Sequence, residues 1–185
     1  MALIRSVLNG SLHCPDEVTA YELVSLQLRK ILELVAFSSL VANREVYAAE
    51  WQKYQQHWRV KDLLVNLAKV NPDYYPRPVR VTVDSETGAK SVENIDDGFL
   101  TPADFQALYD KCAEVLHTWN PFRDGERRID FGKPVAEWLE RIQRLLAVHI
   151  MRLAGSTELW LVYMSYPPEN NVHALVASPY DSTQE

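Results

Sequence analysis

The spacing of apolar residues predicts a long helix near the start of the chain. Residues 15–42 place apolar side chains on two opposite sides of a helical wheel, and Asn43 follows as a C-terminal cap. A helix that is apolar on two sides is typical of a central position between packed neighbours. With a further helical pattern that ends at residue 70, the spacing predicts a helical region over residues 15–70. The two apolar sides consist of Tyr21, Val24, Leu28, Ile31, Leu32 and Val35, and of Leu23, Leu26, Leu34, Phe37 and Val41.

Alternating apolar and polar residues predict two hairpins farther along the chain. Residues 79–95 alternate valines with polar side chains before a turn that contains Gly88. The second hairpin covers residues 158–177, and its first strand is apolar on both faces, as in an interior strand. Helical spacing returns between the two hairpins, over residues 101–119 and 134–154.

The helix predicted over residues 101–119 begins with a strong capping signal. Thr101 is a favourable N-cap, and Pro102 suits the first helical position because its missing N–H is not needed there. Cys112 falls on the apolar stripe of this helix. We therefore interpret Cys112 as a core residue and not as a reactive thiol.

These elements predict an α+β protein. We expect a predominantly helical bundle of about four to five helices with two β-hairpins, which can pair in one antiparallel sheet. The chain has 185 residues, of which 47% are hydrophobic, and this suits a single domain over residues 1–185.

The charge and the cysteines restrict the class of partner. A net charge of −6 repels a phosphate backbone, so we expect no binding to nucleic acid in general. The chain contains two cysteines, Cys14 and Cys112, and its first residues lack the apolar core of a secretion signal. No apolar run is long enough to cross a bilayer. We expect a cytoplasmic protein that has no membrane partner.

Three charged residues lie inside the apolar helical segment: Arg29, Lys30 and Glu33. If they are partly buried they must be paired, because an isolated buried charge costs several kcal/mol. One interpretation is a structural ion network. The other is a cleft in which Arg29 and Lys30 bind a ligand or partner and in which Glu33 or Lys30 has a shifted pKa. If His149 shares that cleft, Glu33 and His149 become candidates for general acid–base catalysis.

An aromatic stripe follows the first long helix. Tyr47, Trp51, Tyr54 and Trp58 recur at helical spacing and so share one side of a helix. Such a stripe is typical of a core. An exposed part of it, at Trp51, Tyr54 and Trp58, is instead suited to binding a partner helix or stacking on a planar ligand.

Metal and cofactor motifs are missing from the sequence. The five histidines stand far apart, and no HExxH or CxxC pattern occurs. No glycine-rich loop of the phosphate-binding type is present. We therefore expect neither a bound metal nor a cofactor.

One stretch, ERIQRLLAVHI at residues 140–150, raises a catalytic hypothesis. Arg144 and His149 are separated by four residues, and this spacing resembles the signature of the HEPN ribonucleases, small helical proteins with an arginine and a histidine on one helix. The resemblance implies an RNA substrate, with His149 as general acid or base and Arg144 holding the phosphate. Leu145 departs from the family, in which a polar residue often follows the arginine.

The helical wheel separates the two residues of this pair. His149 falls near the centre of an apolar stripe, so it faces the core or a crevice in it. Arg144 lies about 140° round the wheel and four residues after Glu140, a spacing suited to a surface ion pair. The wheel therefore favours a core histidine and a solvent-exposed arginine.

Three functions remain open on the sequence alone. The lack of short catalytic motifs favours a non-enzymatic interaction or regulatory protein, which acts by contact with a protein partner or with another copy of itself. The first alternative is a HEPN-like ribonuclease of the toxin or defence type that uses Arg144 and His149. The second alternative is a small-ligand binder at the aromatic stripe.

Overall fold

The protein belongs to the α+β class, as predicted. The structure is a computed structural model that describes residues 1–50, 60–118 and 129–177, and within these ranges it contains six helices and five strands. The helices are α1 (Ala2–Leu8), α2 (Glu17–Ala42), α3 (Arg44–Glu50), α4 (Val60–Val70), α5 (Pro102–Leu116) and α6 (Val135–Ala147). The strands are β1 (Arg77–Val83), β2 (Lys90–Asn94), β3 (Val148–Arg152), β4 (Leu159–Tyr166) and β5 (Asn171–Ala177).

The five strands form one antiparallel sheet, which is larger than the two predicted hairpins. Its strand order is β2-β1-β3-β4-β5. The two hairpins, β1–β2 and β4–β5, do not pair with each other, because β3 lies between them. Pro78 of β1 and Val162 of β4 both lie opposite His149 of β3. The central strand therefore joins the two hairpins.

The prediction of a helix over residues 134–154 is wrong for its last part. Helix α6 ends at Ala147, and the next residue, Val148, begins β3. The segment VHIMR contains the β-branched Val148 and Ile150, which suit a strand as well as a helical stripe. Pairing with strands on both edges satisfies its backbone groups, so tertiary contacts override the helical spacing.

The start of α5 confirms the predicted cap. The side-chain oxygen of Thr101 accepts a hydrogen bond of 3.1 Å from the backbone N–H of Asp104, and Pro102 occupies the first turn. The predicted inward stripe is also confirmed, since Phe105, Leu108, Tyr109, Cys112 and Val115 are buried.

The chain divides into two compact units. The helical unit consists of residues 1–35 and 100–140. The described residues of this unit contain no strand. The sheet unit consists of residues 36–99 and 141–185, and it contains all five described strands together with α3 and α4. The single domain over residues 1–185 stays a prediction.

Helix α2 is buried on one of its two apolar sides only. Leu28 and Leu32 are fully buried, whereas Leu34 is 69% exposed and Val41 is 71% exposed. The prediction that both apolar sides are covered is therefore wrong. Helical spacing shows which residues share a side, but it does not show whether another element packs there.

Two buried amides connect the helices of the sheet unit to its central strand. The Asn43 side chain, just after α2, donates to the Ser39 carbonyl at 2.8 Å, which confirms Asn43 as a C-terminal cap. Its side-chain oxygen accepts from the Asn71 side chain at 2.7 Å and from the Ala154 N–H at 3.1 Å. The Asn71 side chain also donates to the Arg152 carbonyl at the end of β3, at 2.8 Å. The pair thus fixes the end of β3 against the ends of α2 and α4.

Replacing Asn71 by alanine should destabilise the protein strongly. The change removes the Asn71 donor from the Arg152 carbonyl and from the Asn43 side-chain oxygen. Asn71 is only 5% exposed, so water cannot easily replace these hydrogen bonds. We expect Asn71→Ala to lower the free energy of unfolding by roughly 2 to 4 kcal/mol, measured by urea denaturation.

The control is Asn94→Ala at the exposed end of β2. It should change the free energy of unfolding by about 0.5 kcal/mol or less. Equal stability of the two variants would show that the buried amide pair does not hold β3 in place.

Candidate functional site

A closed cluster of hydrogen bonds joins α2 to α5 in the helical unit. Arg29 Nε donates to Glu33 Oε1 at 3.0 Å, and Arg29 Nη2 donates to the Tyr109 hydroxyl at 2.8 Å. The Tyr109 hydroxyl in turn donates to Glu33 Oε1 at 3.3 Å. The Arg29 guanidinium carbon also lies 4.7 Å from the centre of the Tyr109 ring, within the range of a cation–π contact.

The electrostatics of this cluster favour the charged form of Arg29 and the neutral form of Tyr109. The hydrogen bond to Glu33 raises the pKa of Arg29, although burial opposes it. Burial raises the pKa of Tyr109, and the nearby positive charge of Arg29 acts the other way. Burial also raises the pKa of Cys112 to about 12, so this thiol stays protonated and unreactive at neutral pH.

The cluster has the geometry of the structural ion network predicted from the sequence. Arg29 and Glu33 are paired and about one-third exposed, as partly buried charges must be. Lys30, the third charged residue, is exposed. Arg29 and Glu33 belong to the helical unit, whereas His149 belongs to the sheet unit. A catalytic or binding role for these three charged residues stays a hypothesis.

His149 is buried, as the sequence predicts, but it lies on a strand. It is 7% exposed, and its Nδ1 donates to the Leu146 carbonyl at 3.1 Å, since a carbonyl oxygen can only accept. Burial lowers the pKa of His149, and the bond to Leu146 partly opposes this effect. The imidazole is therefore neutral at pH 7, with the proton on Nδ1.

Arg144 lies in the last turn of α6 and is exposed, as predicted. Its guanidinium covers Gly98, whose backbone has a φ of +70° and which has no side chain to collide with the arginine. His149, by contrast, lies in β3. The HEPN resemblance requires both residues on one helix, so its structural premise is wrong.

The aromatic stripe is described only at its first position. Tyr47 of α3 is fully buried, and burial raises the pKa of its hydroxyl. Trp51, Tyr54 and Trp58 lie outside the residues that the structure describes. The hypothesis that these three residues bind a ligand or a partner stays untested.

The C-terminal hairpin carries a surface that the sequence analysis missed. Val172 of β5 is 62% exposed, although apolar residues usually bury in a strand. On the opposite face, the Tyr166 ring stacks on His173 with centroids 4.9 Å apart. The sequence feature that could have revealed this surface is the strand NVHALVA, which contains no charged residue. We define the hairpin patch as the exposed residues Val172, Ala174 and Val176, which share one face of β5 because side chains alternate between faces along a strand.

Neither a metal centre nor a membrane span is found in the described parts of the chain. Residues 1–50, 60–118 and 129–177 contain no group of three or more His, Cys, Asp or Glu side chains that could hold a metal ion. Over the same ranges, no helix combines the length and apolar character needed to cross a bilayer.

Comparisons of the chain with protein-family models, curated proteins and solved structures find no match. The function is therefore inferred from the geometry of the described residues.

The burial of His149 should appear as a pH dependence of stability. Its pKa is lowered in the folded state from 6.5, so the unfolded chain takes up the proton first as the pH falls. We expect its contribution to be complete above about pH 6.5 and to decline below it, by at most about 1.4 kcal/mol per pH unit. His149→Gln should remove this slope in urea denaturation between about pH 8 and about pH 5.

His173→Gln is the matched control, because His173 is exposed on β5. This variant should keep the pH dependence of the wild type. An unchanged slope in His149→Gln would contradict a buried, neutral imidazole.

The cluster at Arg29 should stabilise the protein through the Tyr109 hydroxyl. Tyr109→Phe removes one acceptor from Arg29 and one donor from Glu33. We expect a loss of about 1 kcal/mol in the free energy of unfolding, and a less than additive effect when it is combined with Glu33→Gln.

The control is Tyr21→Phe, which removes a hydroxyl that donates to Glu17 at an exposed site. It should cost no more than a few tenths of a kcal/mol. Equal losses in the two variants would show that the cluster adds nothing beyond a surface hydrogen bond.

Proposed function

We propose that the protein is an interaction or regulatory protein, not an enzyme, and that it acts by protein–protein contact through the hairpin patch. The observation that carries the proposal is the exposure of the β5 valines, with Val172 at 62% and Val176 at 47%. Exposed apolar residues that form a contiguous patch mark contact surfaces, whereas scattered ones need no explanation.

The patch is contiguous because Val172, Ala174 and Val176 alternate along β5 and so lie side by side on one face of the sheet. On the same face, Val176 lies opposite Trp160 and Ala174 lies opposite Val162 of the neighbouring strand β4. Aromatic and aliphatic side chains on a rigid sheet supply contact area at a low entropic cost, which favours protein binding.

The candidate catalytic residues lend little support to an enzyme. Glu33 is engaged by Arg29 and Tyr109, and the His149 Nδ1 proton is engaged by a backbone carbonyl. A general acid or base must reach the proton that it transfers.

We propose the cytoplasm as the compartment, since Cys14 and Cys112 are both free thiols.

The test compares two baits in the native extract. The first is the wild-type protein, and the second carries Val172→Lys and Val176→Lys, which place two charges in the patch. We expect the wild type to form a defined complex, with itself or with another protein, and the double variant to weaken it by at least about tenfold. Complexes are identified by mass spectrometry and quantified by light scattering.

Val65→Lys serves as the control, because Val65 is 55% exposed on α4, outside the patch. This variant should bind as the wild type does. The proposal fails if the wild type stays monomeric and captures nothing that the double variant does not also capture.

A further inference from the structure

The two edges of the sheet differ in how well they are protected against pairing with another strand. The β2 edge is five residues long and carries Lys90 and Glu93. The β5 edge is seven residues long and contains no Asp, Glu, Lys, Arg or Pro between Asn171 and Ala177. Charged side chains and proline are the usual devices that stop an edge strand from pairing. Only the β2 edge has such a device.

The outer edge of β5 offers backbone groups for pairing. In the described residues β5 pairs with β4 alone, so it forms one end of the sheet. In an antiparallel strand, the N–H and C=O of one residue point to one neighbour and those of the next residue point to the other. Alternate residues of β5 therefore direct both backbone groups away from β4. These groups need a partner or water.

The sequence of β5 is suited to pairing with itself. A twofold axis beside Ala174, the middle residue of the strand, places Val172 of one copy opposite Val176 of the other. It also places His173 opposite Leu175 of the other copy. Residues that lie opposite each other then differ by an even number of positions along β5. Both therefore direct their backbone groups to the same edge. A shift by one residue would break this match and remove the hydrogen bonds.

The side chains in this register favour association. Val172 is 62% exposed and Val176 is 47% exposed. Val172 of each copy lies opposite Val176 of the other copy. Opposed β-branched residues stabilise antiparallel pairs. The overall charge of −6 does not oppose the contact locally, because β5 itself carries no formal charge.

We propose that the partner bound by the hairpin patch is a second copy of this chain, paired antiparallel through β5 about a twofold axis at Ala174, which joins two five-stranded sheets into one. The inference rests on the proposed function and specifies its partner. A single strand pair of about 24 Å is a small interface, so we expect a reversible dimer whose population depends on concentration.

The first experiment measures the mass of the full chain by light scattering over a dilution series. We expect the mass to rise from 21.3 kDa toward twice that value as the concentration increases. Val172→Lys should weaken dimerisation by at least about tenfold, because it places a lysine on the pairing edge. The matched control is Val92→Lys on the opposite edge, where Val92 is 49% exposed; it should dimerise as the wild type does. Circular dichroism verifies that both variants are folded.

The second experiment tests the register by cross-linking. In a Cys14→Ser background, Ala174→Cys places two thiols opposite each other at the axis, within reach of a disulfide. We expect an intermolecular disulfide under mild oxidation, seen as a dimer on a non-reducing gel. Ser91→Cys, exposed on β2, is the control and should stay monomeric. The native Cys112 is buried and does not compete.

The outcomes separate this inference from the proposed function. A dimer that is sensitive to Val172→Lys and cross-linked by Ala174→Cys supports both. A monomer at every concentration that still captures another protein through the patch overturns the self-pairing and leaves the interaction role. A dimer that resists Val172→Lys, or that Ser91→Cys cross-links as readily, overturns the β5 register. A monomer that captures nothing overturns both.

Discussion

The buried amide pair of Asn43 and Asn71 is the constraint on which the sheet unit depends. A buried side-chain amide must satisfy its donors and acceptors within the protein, and these two do so through each other and through the backbone at the end of β3. The geometry leaves few alternatives, because a shift of β3 by one residue would leave the Arg152 carbonyl or the Ala154 N–H unpaired. The amides therefore determine where the central strand ends.

The position of β3 then determines the rest of the sheet. This strand has a hairpin on each edge, so its register with β1 and β4 sets the position of both. It also explains the environment of His149, which is buried between strands and bonded to the carbonyl of Leu146 just before the strand. A histidine in this setting is neutral and held in place, which suits a structural role.

The polar residues of the helical unit follow the same logic. Arg29, Glu33 and Tyr109 satisfy one another where α2 meets α5, so partly buried charges are paired. The apolar residues on the surface do not follow it. Val172 and Val176 remain exposed on a strand whose outer edge has no described partner, and this exposure is the physical basis of the proposed binding role.

Local patterns in the sequence determined much of this structure. The cap at Thr101, the inward stripe through Cys112, the end of α2 at Asn43 and the two hairpins all depend on side chains near each other in the chain, so spacing alone predicts them. Tertiary structure decided the rest. The segment after Ala147 fits a helix and a strand equally well, and its pairing with β1 and β4 selected the strand. Likewise, α2 offers two apolar sides, and only the packing of other elements determines which side is buried, because a helical wheel contains no information about its neighbours.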